Sequence, residues 1–248
     1  ANGVRVVVIP LPHLATAAVS VFVRSGSQHE RPDCNGIGHL IEHMAFKGTR
    51  TRDCQRINLD AERLGAEVNA HTDKDHTAFH MHGRAGDACA FVGMLADIVR
   101  ASTFPNAELE RERGVVLHEL TDVEDDPMAT AFELFDRACF GTHPAARPVI
   151  GSRANIRGFA RDDIVAWVER QYTGANTIVG VAGNVEPEAV VAAARAGFGD
   201  MPRARGNAVA PPAWVGGLHS RHMRGASQAH VVVGFPVPAL ADAHAAFV

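Results

Sequence analysis

Two apolar, β-branched runs open the chain and predict strands. They cover 4–11 and 17–26, are too short to cross a membrane, and are interpreted as hydrogen-bonded partners of each other. Further strands are predicted near 67–82 and 177–182. Apolar residues with helical spacing predict helices at 36–47, 53–65, 85–101, 106–125, 127–140, 160–171 and 186–197. Helices interleaved with hairpins predict an α+β domain, in which helices cover a mostly antiparallel sheet.

The helix predicted at 36–47 has two different faces. Its apolar stripe, at positions i, i+3, i+4 and i+7, consists of Ile37, Leu40, Ile41 and Met44. The other face carries His39, Glu42, His43 and Phe46. A helix that buries its apolar stripe would therefore present these side chains to a cleft.

His39 and His43 are one helical turn apart, so both imidazoles can hold one metal ion with Glu42 beside it. The order H-x-x-E-H is that of an inverted zinc-peptidase site. The chain has 14 histidines, so the pentapeptide alone is also compatible with a surface helix that carries two solvated histidines.

A catalytic zinc ion needs a third protein ligand and an open position for water. The helix predicted at 106–125 contains Glu112 and Glu119, which are seven positions apart and therefore share a face. On the residues alone, they could equally be solvated charges paired with Arg111 or Arg113.

The segment ERERGVVLHELTDVE, at 110–124, resembles the third-ligand helix of the pitrilysin-type (inverzincin) metallopeptidases, a family that includes mitochondrial processing peptidase and related bacterial members. The segments 26–49, 66–83, 146–151, 172–176 and 178–185 are similar to the family in order and spacing, so the resemblance covers residues 1–205. It implies Glu119 as the third zinc ligand and Glu112 as a supporting carboxylate.

The segment at 66–83 resembles the family's substrate-binding edge strand. The resemblance assigns substrate binding to Asn69, Ala70, His71 and Thr72. An unpaired strand edge beside the metal would let an extended peptide add as a further strand. The resemblance also implies that Phe46 forms an apolar wall for a substrate side chain, although core packing explains Phe46 equally well.

Four histidines alternate along or next to this strand, namely His71, His76, His80 and His82. Alternating histidines on a strand are typical of exposed or hydrogen-bonded side chains. We therefore assign none of them as a metal ligand.

The predicted domain organisation is a zinc-binding peptidase domain at 1–202, a Pro-, Ala- and Gly-rich linker at 203–217, and the start of a second similar domain at 218–248. Within 227–248 we expect a strand and the start of a helix. Since this remainder is too small for a domain, the chain is expected to be a truncation, a cleaved product or one half of an assembly. The resemblance implies a second half or a partner subunit, in a homodimer or heterodimer.

The composition argues against nucleic-acid binding, membrane insertion and a thiolate metal site. The chain is 46% hydrophobic and 21% charged with a net charge of −4, so nothing basic suggests nucleic acid, and no run suggests a membrane. Four cysteines without a C-x-x-C pair indicate neither a thiolate zinc site nor a disulfide framework. Reduced thiols favour a cytoplasmic location, or a periplasmic one if a signal peptide was removed.

The favoured hypothesis is a zinc-dependent endopeptidase that acts on peptides or unfolded polypeptides. In it, His39, His43 and Glu119 hold Zn²⁺ and Glu42 is the general base. Two alternatives remain. One is a non-catalytic scaffold or substrate-recognition subunit of the same fold, and the other is a structural zinc domain. The complete motif argues against the first, and the N/O ligand set argues against the second.

Overall fold

The computed structural model describes residues 2–239 and 242 of the 248-residue chain. In that part, the chain forms one five-stranded sheet and eight α-helices. The strands are β1 Arg5–Pro10, β2 Thr16–Val23, β3 Glu67–Thr72, β4 Thr77–Arg84 and β5 Thr177–Gly183. The helices are α1 Ile37–Ala45, α2 Cys54–Arg63, α3 Ala88–Ala101, α4 Asn106–Asp125, α5 Pro127–Phe140, α6 Arg153–Gly158, α7 Arg161–Gln171 and α8 Pro187–Phe198. The predicted α+β class is confirmed.

The sheet has the strand order β1-β5-β2-β4-β3. Strands β1 and β5 are parallel and the other three pairs are antiparallel, so the expected mostly antiparallel sheet is confirmed. The prediction that β1 and β2 pair is wrong, because β5 lies between them. Val179 and Val181 of β5 are buried, as suits a strand with neighbours on both sides.

The strand interval predicted at 67–82 is a hairpin. Strands β3 and β4 are joined by a tight turn in which the Asp73 N–H donates to the His76 carbonyl at 2.8 Å. In the same turn, Lys74 Nζ donates to Asp136 and to the Ala145 carbonyl, each at 2.7 Å. Within the described residues β3 has a strand neighbour on one side only, so it is an edge strand as predicted.

The core lies on the sheet face that α1, α3 and α8 cover. Side chains of β2, β4 and β5 alternate between this face and the opposite one, as expected for a sheet with one buried face. The buried ones include Val19, Val21, Phe79, Met81, Val179 and Val181, which pack with Phe91 and Leu95 of α3. The opposite face is open, and Phe22 of β2 is 37% exposed there.

The rest of the described chain contains one helix more than the sequence predicts. Helix α6 was not predicted; its Ser152 cap accepts a hydrogen bond from the Asn155 N–H at 3.2 Å. The four cysteines are free thiols. None of the helices in the described part of the chain combines the length and apolar character of a membrane-spanning segment.

Residues 202–239 contain no helix or strand. The strand predicted within 227–248 is therefore not formed in the described residues. Val231, Val233 and Phe235 are 71–81% exposed there, because they have no neighbouring strand to pair with. The predicted helix start lies outside the described residues, apart from Asp242. The domain limits at 202 and 217 stay predictions.

Candidate metal centre

Helix α1 begins at a buried carboxylate. Glu30 Oε2 accepts hydrogen bonds from the Gly36 N–H and from Asn35 Nδ2, and Oε1 accepts one from the Gly38 N–H, each at 2.8 Å. The N–H groups at a helix start have no partner within the helix, so a side chain must satisfy them when they are buried. Burial raises the pKa of Glu30, while these hydrogen bonds oppose the rise. The carboxylate thus fixes where α1 starts.

Two glycines allow this start. Gly36 has a φ of +100°, and a Cβ there would lie 2.7 Å from the Ile150 carbonyl oxygen. A Cβ on Gly38 would lie 2.9 Å from Glu30 Oε1. A larger residue at either position would displace the backbone or the carboxylate. Because His39 follows Gly38 directly, the glycines also determine where its imidazole lies.

The two predicted faces of α1 are present. The apolar stripe is buried, and Ile37, Leu40, Ile41 and Met44 are each at most 2% exposed. Helix α4 packs against α1 and buries a stripe of its own that consists of Leu109, Glu112, Val116 and Leu120. One member of that stripe is a carboxylate. The packing brings Glu112 and Glu119 of α4 to the histidines of α1.

His39, His43 and Glu119 come together between α1 and α4. Glu119 Oε2 lies 3.4 Å from His43 Nε2 and 3.8 Å from His39 Nε2, and the two imidazole centroids are 4.8 Å apart. Ligand atoms on a tetrahedral zinc ion with bonds of 2.0–2.1 Å are about 3.3 Å apart. Among the described residues, this is the group of three His, Cys, Asp or Glu side chains whose ligand atoms are close enough to hold one ion.

The protonation and burial of these side chains also fit a metal. Burial lowers the pKa of His39 to about 4, with a smaller contribution from His43, so the imidazole is neutral near pH 7. A metal binds the neutral form of imidazole. Glu42 Oε2 is buried and has no hydrogen-bond partner among the described residues. A buried carboxylate oxygen without a partner, on the residue that precedes His43, is an exception that a bound water or ion would explain.

Glu112 supports His43 from the side away from Glu119. Glu112 Oε2 lies 3.1 Å from His43 Nδ1, and Glu112 Oε1 lies 2.8 Å from Lys47 Nζ. A hydrogen bond at Nδ1 leaves Nε2 of the same ring free to bind a metal. Lys47 was missed by the sequence reasoning. Its position four residues after His43 was the available signal, because it places Lys47 one turn further along the same face.

Replacing Lys47 with Met should lower the affinity for zinc about tenfold, since Glu112 loses the cation that holds its carboxylate against His43. Lys47→Arg keeps the charge and should keep most of the affinity. Competition with a chromophoric chelator measures both values. An unchanged affinity in Lys47→Met would show that Glu112 needs no cation to orient His43.

Tyr172, which follows α7, is buried near Glu42. Burial raises the pKa of its hydroxyl, and the nearby Glu42 carboxylate raises it further, so Tyr172 stays neutral. Its ring centroid is 6.4 Å from that of Phe79, which in turn is 6.4 Å from that of Phe46. Phe46 is therefore half-buried against the core. Its role as a substrate wall stays a prediction.

The four predicted substrate-binding residues lie on β3. Ala70 and Thr72 face α1, whereas Asn69 and His71 point to the open face of the sheet. The strand packs against α1, the helix that carries His39 and His43, and lies at the edge of the sheet in the described residues. Its role in substrate binding stays a prediction.

The comparisons with known proteins agree with this fold. Residues 5–153 match the family described as "Insulinase (Peptidase family M16)", and residues 158–247 match "Peptidase M16 inactive domain". An uncharacterized zinc protease of Mycobacterium leprae is 35% identical over 243 residues, which cover 96% of this chain and 54% of that protein. The human mitochondrial-processing peptidase subunit beta is 34% identical over 187 residues, 75% of this chain and 38% of that subunit.

A protease from Helicobacter pylori has the same fold, with a TM-score of 0.78 and 25% identity over 85% of this chain and 51% of that one. A site of this kind on this fold is typical of zinc metallopeptidases of the inverted-motif class. The chain belongs to peptidase family M16, as the match over 5–153 shows. It spans about half the length of the curated relatives that it matches.

Proposed function

We propose that this domain is the zinc-binding half of an endopeptidase that hydrolyses peptides or unfolded polypeptides. One observation carries the proposal: His39, His43 and Glu119 converge on one point, and Glu42, the residue before His43, has a buried carboxylate oxygen without a hydrogen-bond partner among the described residues. Relatives that are named zinc proteases support it. Their greater length supports a second half or a partner subunit, in a homodimer or heterodimer.

In this proposal each residue has a separate task. His39, His43 and Glu119 hold Zn²⁺, which when bound acidifies a water and polarises the scissile carbonyl. Glu42 accepts the proton of that water and returns a proton to the leaving amine. Glu112 keeps His43 oriented, and the edge of β3 aligns the peptide so that its carbonyl meets the water.

Zinc binding is the direct test of the ligand set. Glu119→Gln should weaken zinc binding by at least about 100-fold, because a neutral amide replaces the only anionic ligand. Glu110→Gln is the matched control on the same helix, since Glu110 is 71% exposed and pairs with Arg113. Equilibrium dialysis gives both affinities. Equal zinc binding by Glu119→Gln and Glu110→Gln would exclude Glu119 as a ligand.

The second candidate function is a non-catalytic scaffold or substrate-recognition subunit. The match of 158–247 to the M16 inactive domain favours it. The two candidates differ in their chemistry, because a scaffold binds unfolded peptides without cutting them. Tight zinc binding without peptide cleavage, even in the presence of a completing half, would support the scaffold.

A further inference from the structure

Three histidines form a stripe on the open face of the hairpin, on the other side of the sheet from α1. His71 lies on β3, His76 ends the turn, and His80 lies on β4. His71 is directly opposite Ala78, and this small residue leaves room for the imidazole between the other two rings. The centroid of His71 is 5.3 Å from that of His76 and 5.8 Å from that of His80. We call this set the histidine stripe.

His71 and His76 already have the spacing of two ligands on one ion. Their Nε2 atoms are 3.2 Å apart, close to the separation of about 3.3 Å for two imidazoles on a tetrahedral metal. His76 Nδ1 lies 2.6 Å from Asp75 Oδ1. A carboxylate at Nδ1 places the proton there and leaves the Nε2 lone pair directed at His71, as in many metal-binding histidines.

His80 is the third imidazole of the stripe, but its ring nitrogens do not complete a three-ligand group with those of His71 and His76 in the described arrangement. His80 lies on the same face of the hairpin as His71, since Ala78 opposite His71 is two positions before His80 on β4. A rotation of the His80 side chain would bring its imidazole to an ion held by His71 and His76. Lys74, the cation of the turn, is directed away, because Asp136 and two carbonyl groups hold its Nζ.

We propose that the histidine stripe binds one divalent transition-metal ion, with His71 and His76 as ligands through Nε2 and His80 joining them as a third ligand after its side chain rotates. The ion takes the place of the hydrogen bond between the two Nε2 atoms. His71 moves its proton to Nδ1, so no proton is released. An all-imidazole site selects Cu²⁺, Ni²⁺ or Zn²⁺ over Mg²⁺ or Ca²⁺, which prefer oxygen ligands.

This site is separate from the His39, His43 and Glu119 centre and does not depend on the proposed peptidase activity. The sheet lies between the two, since α1 packs on the buried face and the histidine stripe lies on the open one. An ion bound by His71 and His76 links β3 to the turn and so stabilises the hairpin. The ion would also lie on β3, the strand to which we assign peptide binding.

Titration with Ni²⁺ alone tests the proposal. The wild-type chain, the double variant His71→Ala/His76→Ala and the control His82→Ala are compared by isothermal titration calorimetry in chelator-treated buffer. His82 is the matched control, because it is exposed on the same strand and pairs with Glu67 at 3.5 Å. The double variant should bind one equivalent fewer than the other two proteins. Saturating Ni²⁺ should raise Tm less in the double variant than in the other two proteins.

Two results would overturn the proposal. One is an equal number of Ni²⁺ equivalents in the wild type and the double variant, and the other is an equal loss in His82→Ala. Circular dichroism verifies that the variants are folded, as expected for changes on an open face. In the double variant, which lacks the stripe ligands, one zinc equivalent should remain at the α1 centre and should be weakened by adding Glu119→Gln, so failure at one site is distinguishable from failure at the other.

Discussion

Glu42→Gln should remove peptide hydrolysis while zinc stays bound. The amide keeps the size of the side chain but cannot accept the proton of the attacking water, and the loss of a general base typically lowers a rate by about 10²–10⁴-fold. Glu42 is not among the three converging ligands, so the zinc affinity should change little. A lower cleavage rate with unchanged zinc affinity identifies Glu42 as a general base, whereas a lower zinc affinity would identify it as a fourth ligand.

The measurement is mass-spectrometric detection of cleavage in a mixture of unfolded peptides, in buffer that contains zinc. The control is Glu62→Gln, an exposed carboxamide substitution on α2 that should cleave like the wild type. Wild-type cleavage rates in Glu42→Gln would exclude Glu42 as the base. If neither protein cleaves, the domain requires its completing half or serves as a scaffold.

Glu30→Ala should lower the free energy of unfolding by about 3–5 kcal/mol. The substitution leaves the buried N–H groups of Gly36 and Gly38 and the amide of Asn35 without their acceptor, and each such group costs about 1–3 kcal/mol. It also removes the carboxylate that fixes the start of α1. We therefore expect weaker zinc binding as well, through the position of His39.

Urea unfolding of the metal-free chain measures this effect, because bound zinc would stabilise the native state and mask part of it. Glu62→Ala is the control and should change the stability by less than about 0.5 kcal/mol, as is usual for an exposed side chain. A loss below about 1 kcal/mol in Glu30→Ala would mean that water replaces the carboxylate at the helix start.

Much of the candidate centre was predictable from local spacing. The i, i+4 spacing of His39 and His43 placed both imidazoles on one face of α1. The seven-residue interval between Glu112 and Glu119 placed both carboxylates on one face of α4. The resemblance to a known family predicted that Glu119 of α4 meets the two histidines of α1. The distances between Glu119 and the histidines then came from the packing of α4 on α1.

The pairing of strands was less predictable. Strands β1 and β2 are consecutive and apolar, and pairing of neighbours is the usual outcome, yet β5 lies between them. The alternation of apolar residues identifies a strand and its buried face but does not name its neighbour. The segment at 227–239 has a strand-like sequence but forms no strand in the described residues, so an apolar pattern alone does not produce pairing.

The sequence by itself determined the class of the fold, most of its helices, and which residues of α1 face the core or the cleft. These properties follow from periodicity within one element. The tertiary structure decided the position of β5, the contact of Lys47 with Glu112, and the meeting of His71 with His76. Each of these depends on register or on contacts between distant segments, and local periodicity does not encode them.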